Sequence, residues 1–263
     1  MKIGKIVSLI LAISLLLSSL TSCGRTVEEL VEKADKILEE KPYVIEVDID
    51  YRTNDQDVAG IFDQLERSET VMYFKDGNLR ARNDLSIDYG EGDTKFISTY
   101  TVVDGILYFN INYTTDGVTR DVKSKAAIDA DKKAELENKL SLVGGIGASD
   151  FSDVNLVRDE DEYEIVCLGV SDEKQIELEK LLISQLESAA DSVKMTDVKM
   201  VIELDGRKYD TVTVYVEYNV VINGENYSVG MTVELEYEYD ARFDVTVPAD
   251  ASEYLDADIE TLV

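Results

Sequence analysis

From Tyr43 onward the chain is written mostly in twos. Tyr43, Ile45, Val47, Ile49 and Tyr51 alternate with Val44, Glu46, Asp48, Asp50 and Arg52, the period of a strand with one face buried and the other largely polar. The last third repeats this at greater length. Val198, Met200, Ile202 and Leu204 alternate, then Val212, Val214, Val216, Tyr218, Val220 and Ile222, then Tyr227, Val229, Met231, Val233, Leu235, Tyr237 and Tyr239. Asp76-Gly77, Asp104-Gly105, Asp116-Gly117, Asp205-Gly206 and Asn223-Gly224 punctuate these runs. Such pairs tolerate the positive φ of a tight hairpin turn, so consecutive strands should pair antiparallel. Alternation this long predicts a large antiparallel sheet with one wet face, twisted enough to curl into a half-barrel.

Three stretches carry helical spacing instead. Thr26-Val27-Glu28-Glu29 has the form of a capping box, and Val27, Leu30, Val31, Ala34, Ile37 and Leu38 follow on one face until Pro42. Ala130 to Val143 places Leu136, Leu140 and Val143 together and stops at Gly144-Gly145-Ile146-Gly147, a helix stop and connection without the spacing of a phosphate loop. The third runs from about Asp172 to Val193, with Leu178, Leu182, Leu186, Ala189 and Val193 in one stripe. A short amphipathic segment surrounds Val58, Ile61, Phe62 and Leu65. The fold class expected is α+β: a large curled antiparallel sheet with a few helices packed on its concave face.

Charge and composition narrow the chemistry. No histidine occurs, which removes Ser-His hydrolases, Cys-His proteases and ordinary zinc sites. Ser171-Asp172-Glu173-Lys174 matches a Ser-x-x-Lys pattern, but Ser171 stands where a helix begins with acids in its first turn, and the partner motifs are absent, so it reads as a helix cap. Asp159-Glu160-Asp161-Glu162 lacks the loop pattern that fixes calcium ligands. No metal, cofactor or catalytic set is expected, although a glycosidase working with two carboxylates remains open. Only Pro42 and Pro248 occur, and no linker divides the body.

The first 22 residues differ from everything after them. Lys2 and Lys5 precede an uncharged apolar run from Ile6 to Leu17, which gives way to small residues, the layout of an export signal. Serines interrupt the run, and it is short for a membrane-spanning helix. Leu20-Thr21-Ser22-Cys23 resembles the lipobox of bacterial lipoproteins. That resemblance implies cleavage before Cys23, a cysteine diacylated on sulfur, and a body anchored by lipid on the extracytoplasmic face of the cell membrane. Residues 23–25 would be the lipidated tether, and residues 26–263 one domain. Of 26 basic residues, Lys2 and Lys5 lie in the signal, so the mature body carries 24 against 55 acids, a formal charge of −31. Such a field repels nucleic acid and anionic lipid. With Cys23 lipidated, Cys167 is left alone and reads as a small buried apolar residue.

The order of lipobox, leading helix, long hairpins, helical middle, further hairpins and the C-terminal segment Phe243-Asp244-Val245-Thr246-Val247-Pro248 resembles the lipoprotein-carrier fold of the LolA, LppX and LprG type. The resemblance spans about residues 26–248 and rests on element order, without a diagnostic motif. It implies an apolar cavity between sheet and helices that accepts acyl chains or another hydrophobic ligand. Phe109 and Ile111, with Val233, Leu235 and Tyr237, are the expected lining. The alternative is a sensory or scaffold lipoprotein of the envelope whose core is simply full. Apolar alternation looks the same in both cases.

Overall fold

The structure is a computed structural model describing residues 26–53, 55, 62, 68–88, 93–115, 118–141, 145–159, 162–186, 190–239 and 242–262. The expected signal, Cys23, the turn expected at Asp116-Gly117 and most of the expected segment around Val58 lie outside the described residues.

Helix α1, Val27–Glu40, starts where the sequence places it: the Thr26 side chain accepts a hydrogen bond from the Glu29 amide at 3.2 Å. It stops before Pro42, which has no N–H to continue the ladder. Six strands follow: β1 Tyr43–Thr53, β2 Ser68–Lys75, β3 Asn78–Asp88, β4 Asp93–Val103, β5 Ile106–Thr115 and β6 Val118–Ala127. Helix α2, Ala130–Ser141, comes next, then β7 Phe151–Asp159, β8 Glu162–Val170, helix α3 Asp172–Leu186, β9 Ser192–Asp205, β10 Lys208–Ile222, β11 Glu225–Tyr239 and the short β12 Leu255–Asp256.

All twelve strands join one sheet in the order β12-β6-β5-β4-β3-β2-β1-β11-β10-β9-β8-β7. Every pairing is antiparallel except the parallel contact of β12 with β6. The first strand therefore meets the last long one in the middle, with Ile45 opposite Tyr237 and Val47 opposite Leu235. This seam divides the sheet into an N-terminal wing, β1 to β6, and a C-terminal wing, β7 to β11. The two ends do not meet, so the sheet is open and curled rather than closed, in an α+β arrangement.

Three of the expected hairpin turns carry the positive φ pairs that Asp-Gly and Asn-Gly permit: Asp76 and Gly77 at 54° and 76°, Asp104 and Gly105 at 52° and 74°, Asn223 and Gly224 at 53° and 80°. The β9–β10 turn differs. Asp205 pairs with Lys208, so the two central residues are Gly206 and Arg207, and only Gly206 has positive φ, at 64°. Helix α3 does not run the length of the expected stripe: it is described over Asp172–Leu186, and Val193 belongs to β9, where it sits opposite Val220. A β-branched residue with a ladder partner available goes to the sheet, whatever stripe it would extend.

One contiguous core fills the inner face. Leu30 and Ala34 of α1, Leu136 of α2 and Leu178, Leu182 and Leu186 of α3 meet Ile45, Val47, Ile165, Met200, Val214, Val216, Val229 and Val233. Cys167 is fully buried opposite Met200, and burial pushes its thiol up to about 11.

The outer face departs from the simple expectation of a wet side. Over the N-terminal wing it is covered by residues 242–262, which cross it as a strap. Phe243 meets Tyr73 edge-on at 5.3 Å, and Tyr254 meets Tyr108 at 5.4 Å. Lys123 binds Asp250 and Glu253, each at 2.6 Å. Beneath the strap Val103 and Tyr108 are buried although they point away from the main core. β12 then lies along β6, and Ile259 and Leu262 reach the core.

Candidate functional site

Between α1, the chain after α2 and the seam of the sheet lies a cavity of about 990 Å³. That is the upper end of the about 300–1,000 Å³ typical of small-molecule sites. Its floor is the inner face of the seam: Ile45, Met72, Ile202, Val212, Val214 and Leu235. Val27, Val31 and Leu38 of α1 face it from one side, and residues 145–149 border another. Helix α2 has ended by then, and Gly145 takes a φ of 76°. A Cβ at Gly145 would stand 3.1 Å from the Asn138 side chain, so the bare backbone lets this wall lie close against α2.

Aromatic rings form one end. Tyr43 stacks on Phe74 at 4.6 Å, Tyr237 lies 6.4 Å from Tyr43, and Tyr209 lies 5.3 Å from Tyr237. The Tyr209 hydroxyl donates to Asp35 Oδ1 of α1 at 2.7 Å, fixing the helix to the sheet. Burial, then the hydrogen bond and charge of Asp35, raise the Tyr209 hydroxyl above its ordinary value. Burial does the same to Tyr43 and Tyr237, so these rings stay neutral across the working pH range. Neither the Tyr43 nor the Tyr237 hydroxyl has a hydrogen-bond partner among the described residues. Carboxylates follow the rim: Glu28, Glu32, Asp35 and Glu39 of α1 and Glu137 of α2, with Lys36 the one cationic side chain on the lining among the described residues.

Of the five residues expected to line a cavity, the structure brings Leu235 and Tyr237 to this one. Val233 is on the same face one pair further along, fully buried between Ile49 and Val214. Phe109 and Ile111 lie on β5 in the N-terminal wing, where Phe109 packs on Tyr100 at 4.8 Å and Ile111 pairs with Ser98 and Val122, away from the cavity. Tyr209 could not be placed by alternation. A bulge at Asp210 shifts the register between Tyr209 and Thr211 and puts Tyr209 opposite Leu204, on the inner face.

Ser171 acts as the cap the sequence suggests: its Oγ accepts from the Lys174 amide at 3.3 Å, and the Lys174 ammonium pairs with Glu177 at 2.7 Å. Among the described residues no three metal-ligating side chains gather in one place. Glu160 and Asp161 of the acidic run lie outside the described residues.

No family model and no curated relative matches the chain. Among solved structures, the ywiB protein from Bacillus subtilis is similar over 76% of this chain and 93% of its own, at 9% identity and a TM-score of 0.17. An AttH-type protein from Nitrosomonas europaea aligns over 77% of this chain and 52% of its own, at 8% identity and a TM-score of 0.16. An N-terminal dehydratase from the difficidin assembly line aligns over 85% and 84%, at 8% identity and a TM-score of 0.16. Superpositions this poor carry no argument about fold or activity.

Proposed function

We propose that this is a lipoprotein anchored through Cys23 on the extracytoplasmic face of the cell membrane, whose body binds a lipid or other hydrophobic ligand between α1 and the sheet. The observation that carries the reading is the cavity of about 990 Å³, floored by apolar side chains and set beside the helix that begins at Val27, four residues after Cys23. So short a tether spans at most about 10–15 Å and keeps that helix at the membrane surface. Each methylene moved from water onto such a floor is favourable by about 0.8 kcal/mol. Among the described residues no helix is long and apolar enough to cross a membrane, which is compatible with anchorage by lipid. A curled sheet enclosing helices is the architecture the carrier resemblance leads one to expect, and the LolA-like assignment is part of this proposal.

The test uses residues 24–263, which contain every described element of the fold. Purified without detergent, the body should carry bound mass removable by organic extraction in native mass spectrometry. Once stripped, it should enhance the fluorescence of the neutral apolar dye N-phenyl-1-naphthylamine. An empty spectrum together with no dye enhancement would overturn the reading. Separately, Cys23→Ala should abolish labelling by an alkyne fatty acid in the full-length precursor, and equal labelling of both forms would refute the anchor.

A second reading, an envelope scaffold or sensor, draws on a different observation: Val118 and Val122 on β6 and Val157 on β7 are 56%, 49% and 54% exposed at the two ends of the sheet. Binding of a protein partner lost in Val122→Asp, in a body with no dye binding, would favour it.

A further inference from the structure

The cavity has a chemical polarity as well as a volume. Glu28, Glu32, Asp35 and Glu39 recur at intervals of four, three and four, so they form one row along α1, about 16 Å from end to end. This row runs beside the apolar row of Val27, Val31 and Leu38, and both border the same opening. None of the four carboxylates is paired with a lysine or arginine among the described residues. Lys36, the one cation on the lining among the described residues, is paired with Glu40, 3.8 Å away.

Two further observations point to what would satisfy this wall. Tyr43 and Tyr237, half-buried at the aromatic end of the cavity, make no side-chain hydrogen bond among the described residues, so their hydroxyls can turn to a molecule in the opening. A neutral phenol oxygen accepts readily from an N–H donor. The same rings offer π-faces, which attract a cation and do nothing for an anion. An apolar floor, aromatic faces and a row of carboxylates without a cationic partner among the described residues together match a molecule with a hydrocarbon body and a positively charged nitrogen.

Resting on the reading of the cavity as a hydrophobic-ligand site, we propose that its ligand is an amphiphile whose polar end is an organic ammonium group, held against the acidic row of α1 with its chain on the seam of the sheet. An anionic head of the same chain length would meet mostly like charges, because Lys36 is already paired with Glu40. The row gives selectivity, while the floor gives most of the affinity.

The experiment compares dodecylammonium with dodecanoate as competitors for bound N-phenyl-1-naphthylamine, below their micellar concentrations, on residues 24–263. Dodecylammonium should displace the dye at concentrations about tenfold lower, because a charge near two or three carboxylates at the protein surface gains on the order of 1–2 kcal/mol. The preference should shrink as salt rises to 0.5 M. The variant Glu28→Gln/Glu32→Gln/Glu39→Gln changes exposed helix residues; it should keep dye binding and lose the preference. A control variant, Asp153→Asn/Glu225→Gln/Glu238→Gln, removes the same charge elsewhere on the exposed surface and should keep it. Equal displacement by the two amphiphiles would overturn the ammonium assignment and leave the cavity reading standing. Equal loss of preference in both variants would assign it to the net charge of the protein, and would also overturn the proposal. Absence of dye binding in the unsubstituted body would strike the cavity reading itself.

Discussion

The two wings of the sheet solve the same problem from opposite sides. Both are antiparallel meanders of long strands, and both must remove at least one face from water. The C-terminal wing does so conventionally: α1 packs against β10 and α3 against β9, and the inner residues of β8 to β11 are nearly all buried. Its outer face stays charged, with Glu46 opposite Glu236 and Asp48 opposite Glu234 along the seam. The N-terminal wing is held on its outer face as well, by a strap that has no regular structure over most of its length. Its inner face is only half-buried toward the far ends of β4 and β5, where Phe96 meets Tyr113 at 6.1 Å and Tyr100 meets Phe109. The inner positions of the C-terminal wing are apolar almost throughout, whereas those of the N-terminal wing also include Asn83, Ser98, Ser124 and Arg120. The first makes a dense core and the second a clamped, looser layer, and the elements that return to cover each wing differ accordingly. The cavity falls at the seam, where coverage changes hands.

If that contrast is right, the wings should respond differently to damage. Leu182→Asp places a charge under α3 at a position 3% exposed, and should cost about 4 kcal/mol or prevent folding. Should it prevent folding, Leu182→Ala measures the same contact at about 3 kcal/mol in urea denaturation. Tyr254→Ala removes the strap's central ring and should cost about 3 kcal/mol. Its signature is regional: amide exchange should quicken in β5 and β6 and stay unchanged in β9 and β10. Uniform acceleration would show that the wings do not open separately.

Lys123→Met should loosen the strap without disturbing the core, read as faster cleavage by a protease between residues 242 and 250. Lys123 holds the Asp250 carboxyl below its ordinary value of 3.8. A carboxylate with a lowered folded-state value contributes stability above its unfolded value and loses it as pH falls through the folded one. The strap should therefore stay fully anchored through neutral and mildly acidic pH, and the difference between Lys123→Met and the unsubstituted chain should vanish only below about 3.8.

The smallest expected effect is on the outer face of the seam. Burial, with the charge of Glu236 beside it, raises the Glu234 carboxyl above 4.5. A raised folded-state value means that ionising the group costs stability, and that this cost disappears as pH falls toward 4.5. Glu234→Gln should therefore stabilise the protein by roughly 0.5 kcal/mol at pH 7, in line with relief of a cross-strand like-charge pair. The gain should fade on acidification, and a gain that grew on acidification would contradict the cause given.

The sequence alone determined the local structure. Alternation, Asp-Gly and Asn-Gly pairs, the Thr26 cap and Pro42 act within a few residues, so the strands, most turns and the start of α1 could be read directly. That the long strands formed an open, curled antiparallel sheet with helices on one face followed from the same pattern. The resemblance of Leu20-Thr21-Ser22-Cys23 to a lipobox is likewise local and needs no fold to be read.

What only the tertiary structure decided was which faces meet. Period 2 says that Phe109, Ile111, Val233, Leu235 and Tyr237 each lie on an apolar face, but it cannot say that β1 and β11 pair at the seam or that β5 lies several strands away. It therefore could not separate Leu235 and Tyr237, which line the cavity, from Val233, buried in full core, or from Phe109 and Ile111, which lie away from it. Nor could it show that a bulge would turn Tyr209 inward, or that residues 242–262 would double back over the outer face. Those outcomes depend on the packing of segments far apart in sequence, and identical local patterns are compatible with many such pairings.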